Sequence, residues 1–346
     1  MRSFFQNGSN RLAAVMGLMI LPFLIPDLAA QEVNIYSSRH YQTDERLYED
    51  FEKATGIRIN RLEGEGDALI ARLKQEGRNS PADILLTVDA GRLWRAEDAG
   101  LFQPIASDEL TAKIPAHLRH PDGLWFGFSS RARMIFVNRD LADPALITGY
   151  EDLADPRWKG QICIRSSSNI YNLSLMASMI AHHGEADALA WAKGVVANFA
   201  RPPQGGDTDQ LRAAAAGECA IAVANSYYFA RLMLSEDQAD REVVAQLVPI
   251  FPNQDGRGTH VNISGAGVLK YAPHQKEAIA FLEYLASDSA QIYFAAGNNE
   301  YPVTDVAINN DALKTLGDFK VDDLNVGQLG INQPTAQRLF DQAGWR

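Results

Sequence analysis

Short β-rich runs alternate with amphipathic stretches along almost the whole chain, and that rhythm restricts the fold more than any other feature. From residue 32 the sequence runs EVNIYSS, TDERLYEDFEKATG, IRINRLEG, GDALIARLKQEG, ADILLTVD and AGRLWRAEDAG. In TDERLYEDFEKATG, Thr43 is placed to cap a helix, acids fill the first turn, Leu47 and Phe51 share a face, and Gly56 stops it. Strand–helix alternation predicts a mainly parallel sheet flanked by helices. The second half repeats the pattern with QICIRS, SSNIYNLSLMASMIAHHG, ECAIAVA and NSYYFARLML. Two long extended runs, WFGFSSRARMIFVN and HVNISGAGVL, are suited to carry the chain from one half to the other. At 346 residues the chain is long for one ordinary core and sufficient for two lobes. The expected architecture is an α/β fold of two lobes joined by a hinge of crossing extended strands, with a ligand cleft between them. Residues 31–130 plus about 255–300 are assigned to the first lobe, and residues 131–254 plus about 301–346 to the second.

The first thirty residues read as a signal peptide. Arg2 and Arg11 flank a polar lead, Leu12 to Ile25 is apolar, and Ala29-Ala30 supplies small residues before a cut ahead of Gln31. The apolar run is short for a bilayer span, and no cysteine near the cut offers a lipid anchor. An exported, soluble, periplasmic protein is expected. The formal charge of -11 argues against nucleic acid or anionic lipid as a partner. The two cysteines, Cys163 and Cys219, are either reduced and buried in strands or joined by the disulfide that export permits. Each lies eight residues before a tyrosine, Tyr171 and Tyr227, so neighbouring strands in register would bring the cysteines together.

The tyrosines hold the strongest hint of chemistry. In ANSYYFARL, Tyr227 and Tyr228 are adjacent, so one buried face cannot hold both rings. Tyr41, Tyr171 and this pair all fall just after a β-rich run, where open α/β sheets bind ligands. Several phenols at such a place suit Fe(III), a hard, highly charged ion that prefers anionic oxygen. A phenol is neutral at pH 7, and a bound cation favours its phenolate. Taken singly, each tyrosine is also well explained as an ordinary core or surface residue.

YSSRHY, SPADILLTVDAGRLWRAEDAG, RSSSNIYN and ANSYYFARL resemble the tyrosine-rich ferric-iron-binding proteins of bacterial ABC importers, and the resemblance covers essentially all of the mature chain. It implies a type II periplasmic binding protein fold with iron in the cleft. Position by position it implies Tyr41, Tyr171, Tyr227 and Tyr228 as ligands. His40 matches a fifth ligand present in some members, and Arg131 and Arg231 match arginines behind the ligands. It implies Fe(III) as cargo, with Fe(II) held less well, and an inner-membrane ABC permease as partner to a monomer without enzymatic activity. Other branches use a carboxylate and an exogenous anion. Glu63 and Glu65 lie near a suitable loop and are read as surface residues. Two rival readings stand beside this one. The first is a binding protein of the same fold in which tyrosines stack on an organic ligand. The second is an exported metal-dependent hydrolase using His117 and His120 of HLRH, whose i, i+3 spacing occurs in zinc sites.

Overall fold

The computed structural model describes residues 31–39 and 42–346. The signal segment at residues 1–30, and the two expected ligands His40 and Tyr41, lie outside the described residues. The strands are β1 (Glu32–Ser37), β2 (Arg58–Glu63), β3 (Ile84–Val88), β4 (Phe126–Asn138), β5 (Ile162–Cys163), β6 (Ile221–Asn225), β7 (Leu247–Ile250), β8 (Val261–Val268) and β9 (Tyr301–Pro302). The helices that position the site are α1 (Glu45–Thr55), α2 (Gly66–Glu76), α3 (Ala90–Asp98), α4 (Asp108–Lys113), α5 (Ile170–Ala197), α6 (Asp207–Ala215) and α7 (Ser226–Met233).

The strand order is β2-β1-β3-β8-β4-β6-β5, with β7 and β9 also paired to β4. β1 runs parallel to β2 and β3, and β5 parallel to β6, as strand–helix alternation requires. The antiparallel pairs all involve the two long runs, β4 and β8. Along β4, residues up to Ala132 pair with β8, and from Arg133 onward the strand pairs with β6. One strand therefore belongs to both halves of the sheet. All thirteen of its residues are buried, so Ser129, Ser130, Arg131 and Arg133 face protein. In β8 the close approach needs glycine: a Cβ on Gly265 would stand 2.6 Å from the Phe126 carbonyl oxygen.

Thr43 does not cap α1. Residues Gln42–Asp44 form a short 3-10 turn, the Thr43 hydroxyl turns to Asn298, and the Asp44 carboxylate accepts from Arg39 and Asn298. Pairing a buried arginine outweighs a hydroxyl cap, because an unpaired buried charge is much the costlier of the two. QICIRS yields only the two-residue strand β5.

Cys163 and Cys219 form a disulfide, with Cα atoms 5.9 Å apart and a sequence separation of 56. It ties β5 to the chain entering β6, the parallel pair whose following helices carry Tyr171, Tyr227 and Tyr228. Replacing both cysteines with serine is expected to cost about 4 kcal/mol by loop entropy. Thermal melting should show this as a fall in Tm of roughly 10 °C, and reductant should reproduce it in the unmodified chain.

Candidate metal centre

One buried guanidinium arranges the segments that present the tyrosines. Arg133 leaves β4 with 2% of its side chain exposed. Its Nη1 donates to both carboxylate oxygens of Asp207, at 3.0 and 2.9 Å, and to Asn225 Oδ1 at 3.1 Å. Its Nη2 donates to Asn172 Oδ1 at 2.9 Å. These partners start α6, precede α7 and follow Tyr171 in α5, so a single charge registers three helix starts. It also explains why neither Asn225 nor Ser226 caps α7. Asn225 serves Arg133, and the Ser226 hydroxyl accepts from Ala132 N at 3.3 Å. Asn169 does cap α5, accepting from Tyr171 N at 3.2 Å.

The three described tyrosines converge. The hydroxyls of Tyr171 and Tyr227 lie 3.2 Å apart, and the rings of Tyr227 and Tyr228 lie 4.2 Å apart at 31°. Together they wall a cavity of about 280 Å³, with Arg231 beside them and Ser38, Gly66 and Arg92 opposite. Burial, and then the neighbouring Tyr171, push the Tyr228 phenol well above its ordinary pKa. These surroundings therefore keep the phenol protonated. Cations surround the group: Arg231 stands 5.9 Å from the Tyr227 ring and 5.8 Å from Tyr228, and Arg133 and Arg165 stand 5.8 and 5.5 Å from Tyr171. Behind them Arg131 is fully buried. Burial works against its charge, and the Glu300 carboxylate is the chief influence that holds it protonated. A second, strongly polar cavity of about 350 Å³ shares Arg92 and Tyr171 with the first and adds Arg95, Arg165, Ser166, Ser168 and Asp67, whose carboxylate pairs with Arg95 at 2.6 Å and Arg92 at 3.7 Å.

Asp89 closes the arrangement from the β3–α3 junction. Its backbone takes a φ of 80°, unusual for a non-glycine residue. The carboxylate accepts from Gly91 N, from Ser174 Oγ one turn beyond Tyr171, and from Asn262 Nδ2 in β8. It thus joins the start of α3 to α5 and to the crossing strand.

Of the residues expected from sequence, Tyr171, Tyr227, Tyr228 and Arg231 share one cavity, and Arg131 lines a small space beside Tyr171. His40 and Tyr41 lie outside the described residues. Glu65, read as a surface residue, also lines the tyrosine cavity, whereas Glu63 pairs with Arg61 at 3.1 Å. Arg133, Arg92 and Arg165 were not anticipated. Arg133 was legible in principle, because it lies two residues beyond Arg131 on a strand and so shares its face. His120 pairs with Glu97 at 3.2 Å, and among the described residues no group of three or more His, Cys, Asp or Glu side chains could hold a metal.

Asp207→Asn would leave the Arg133 charge buried without its partner. The expected cost is roughly 3–5 kcal/mol, read as a lower denaturant midpoint, together with an altered near-ultraviolet tyrosine signal.

Residues 79–317 match the model of a family described as bacterial extracellular solute-binding protein. The chain is 52% identical to iron uptake protein A2 of Synechocystis sp. (strain ATCC 27184 / PCC 6803 / Kazusa) over 350 residues, covering 100% of this chain and 98% of that protein. Among solved structures it is similar to Trichodesmium IdiA (FutA) in complex with iron and citrate, at 56% identity and a TM-score of 0.88. That match covers 91% of this chain and 100% of the other. The ferric binding protein of Campylobacter jejuni matches at 42% identity with a TM-score of 0.84, over 91% of this chain and 100% of that one.

Proposed function

The chain belongs to the bacterial extracellular solute-binding protein family, and from that premise we propose that it captures Fe(III) in the periplasm and hands it to the permease of an ABC importer. Relatives named as iron uptake and Fe(3+)-binding periplasmic proteins support this reading. The observation that carries it is the convergence of phenol oxygens. Tyr171 and Tyr227 turn their hydroxyls toward each other, and Tyr228 packs on Tyr227. A site that stacked an organic ligand would instead open a slot between ring faces.

In this reading Tyr171, Tyr227 and Tyr228 are ligands from one lobe, Tyr41 comes from the other, and His40 is a fifth ligand. The lobes follow the sequence division, 31–130 plus about 255–300 and 131–254 plus about 301–346. β4 and β8 act as the hinge. The phenols lose their protons as the ion enters, because a trivalent cation repays what burial charges against the phenolate. Arg131 and Arg231 then balance the surplus negative charge of the phenolates. The cavity beside Tyr171 offers Arg165, with Arg92 and Arg95 partly offset by Asp67, to an accompanying carboxylate anion. The mature protein begins near Gln31, acts as a monomer, and performs no catalysis.

Titrating the mature chain with ferric citrate at neutral pH should raise a broad visible charge-transfer band that saturates at about one iron per chain. Tyr228→Phe and Tyr171→Phe should weaken and shift the band, while Tyr271→Phe, at an exposed position, should not. Absence of any band with the iron left in citrate would overturn the proposal.

Proton release sets the pH dependence. Tyr228 begins with a raised pKa and must ionise to bind, so affinity rises with pH and falls as pH drops. Each phenol that ionises on binding should contribute about tenfold per pH unit. Iron occupancy against a fixed competing chelator, corrected for the chelator's own protonation, should therefore drop steeply from pH 8 to pH 6.

A further inference from the structure

Asp89 follows β3 with φ at 80° and ψ at 125°, a backbone conformation that glycine takes freely and other residues rarely do. A residue strained in this way persists only where its surroundings fix it. Here three elements do so. Asp89 N donates to the Ile263 carbonyl of β8 at 2.9 Å, and Asn262 Nδ2, also in β8, donates to Asp89 Oδ2 at 2.8 Å. Gly91 N at the start of α3 donates to Oδ1 at 2.8 Å. From α5, Ser174 Oγ reaches both carboxylate oxygens, at 2.9 and 3.0 Å. Asp89 and Ser174 are both wholly buried.

In the division of lobes proposed above, Asp89 and Asn262 belong to the first lobe, and Ser174 and Tyr171 to the second. The start of α5 is therefore held from both. Asn172 accepts from Arg133 on the second-lobe side, and Ser174, about 200° farther around the helix, donates to Asp89. Tyr171 and Ser174 are three residues apart, so they are neighbours on one face of α5. Asn262, the other side chain fastened to Asp89, lines the small space beside Tyr171 together with Arg131. The start of α7, which carries Tyr227 and Tyr228, is instead registered on β4 through Asn225 and Ser226. Of the three tyrosines, Tyr171 is thus the one whose helix turn is fastened to the first lobe by a buried charge.

We propose that Asp89 is a positioning residue for Tyr171: through Ser174 it ties the first turns of α5 to the β3–α3 junction, so that the first lobe sets where the Tyr171 oxygen stands relative to Tyr227. The inference rests on the ferric reading above. Asp89 touches no cargo; it acts through Ser174. A hydroxyl donating to a buried carboxylate suits the task, because such a bond is stronger than one between neutral groups and its loss leaves buried oxygens short of a partner.

The test is a pair of double-mutant cycles on Fe(III) affinity, using the mature chain, citrate as competitor and the visible band as readout. Ser174→Ala removes the hydroxyl and leaves every tyrosine in place. In the otherwise unmodified protein it should weaken iron binding by roughly tenfold, the lower end of the range usual for groups that orient metal ligands, and should shift the band. In a Tyr171→Phe background it should change affinity by less than about twofold, because the oxygen it positions is gone. In a Tyr228→Phe background, where that oxygen remains, the loss of roughly tenfold should persist. Asp89→Asn keeps the shape of the side chain but offers one acceptor oxygen to three donors, and it should give the same order of losses. If Ser174→Ala fails to fold, Asp89→Asn decides alone. Equal losses in all three backgrounds would show that the bond supports the fold as a whole, and would overturn the proposal. Unchanged affinity in the unmodified background would overturn it too. An unmodified protein without any band would instead defeat the ferric reading itself, and this inference with it.

Discussion

Two arginines at alternate positions of one buried strand govern the molecule around the candidate site. Arg131 and Arg133 point to the same side of β4, and each has 2% of its side chain exposed. A buried guanidinium must be paired and hydrogen-bonded, or the fold loses several kcal/mol. That requirement recruits Asp207, Asn225 and Asn172 around Arg133, and Glu300 and Ser264 around Arg131. These partners lie in the first turn of a helix, just before a helix or strand, or on a strand that meets β4. Satisfying the charges and placing the tyrosines are the same structural event.

The electrostatics suit a cargo that supplies its own positive charge only on arrival. Burial keeps the Tyr228 phenol protonated, which avoids packing several phenolates together without compensation. In the proposed reading Arg131 and Arg231 are in place to balance the phenols once they ionise. Asp89 shows the complementary arrangement. Burial raises its carboxyl pKa, Arg131 is the chief opposing influence, and hydrogen bonds from Ser174 and Asn262 fasten it across α5 and β8.

Stability on the tyrosine side comes from two kinds of tie. The disulfide limits the freedom of the unfolded chain between β5 and β6. The Arg133 cluster acts in the folded state by fixing direction. On the opposite side no disulfide is present, and Arg39, Asp44, Asn298 and Glu300 make the connection by charge and hydrogen bonds. Such a connection depends on short distances, so it specifies geometry more sharply than a sheet edge would.

The amino-acid sequence by itself determined the alternation of strands and helices, the two long runs that became β4 and β8, and the position of Tyr171, Tyr227 and Tyr228 at helix starts. These follow from local periodicity and turn chemistry, which act over a few residues and so are readable without a fold. The eight-residue offset from each cysteine to its tyrosine was readable for the same reason. Tertiary structure alone decided which polar residues meet. Nothing local marks Glu300, 261 positions from Arg39, as its partner, or Asp207, 74 positions from Arg133. Nothing local shows that the Thr43 hydroxyl would leave α1 uncapped and turn to Asn298. Pairing energies between buried charges depend on desolvation, and desolvation exists only once the chain has closed around them.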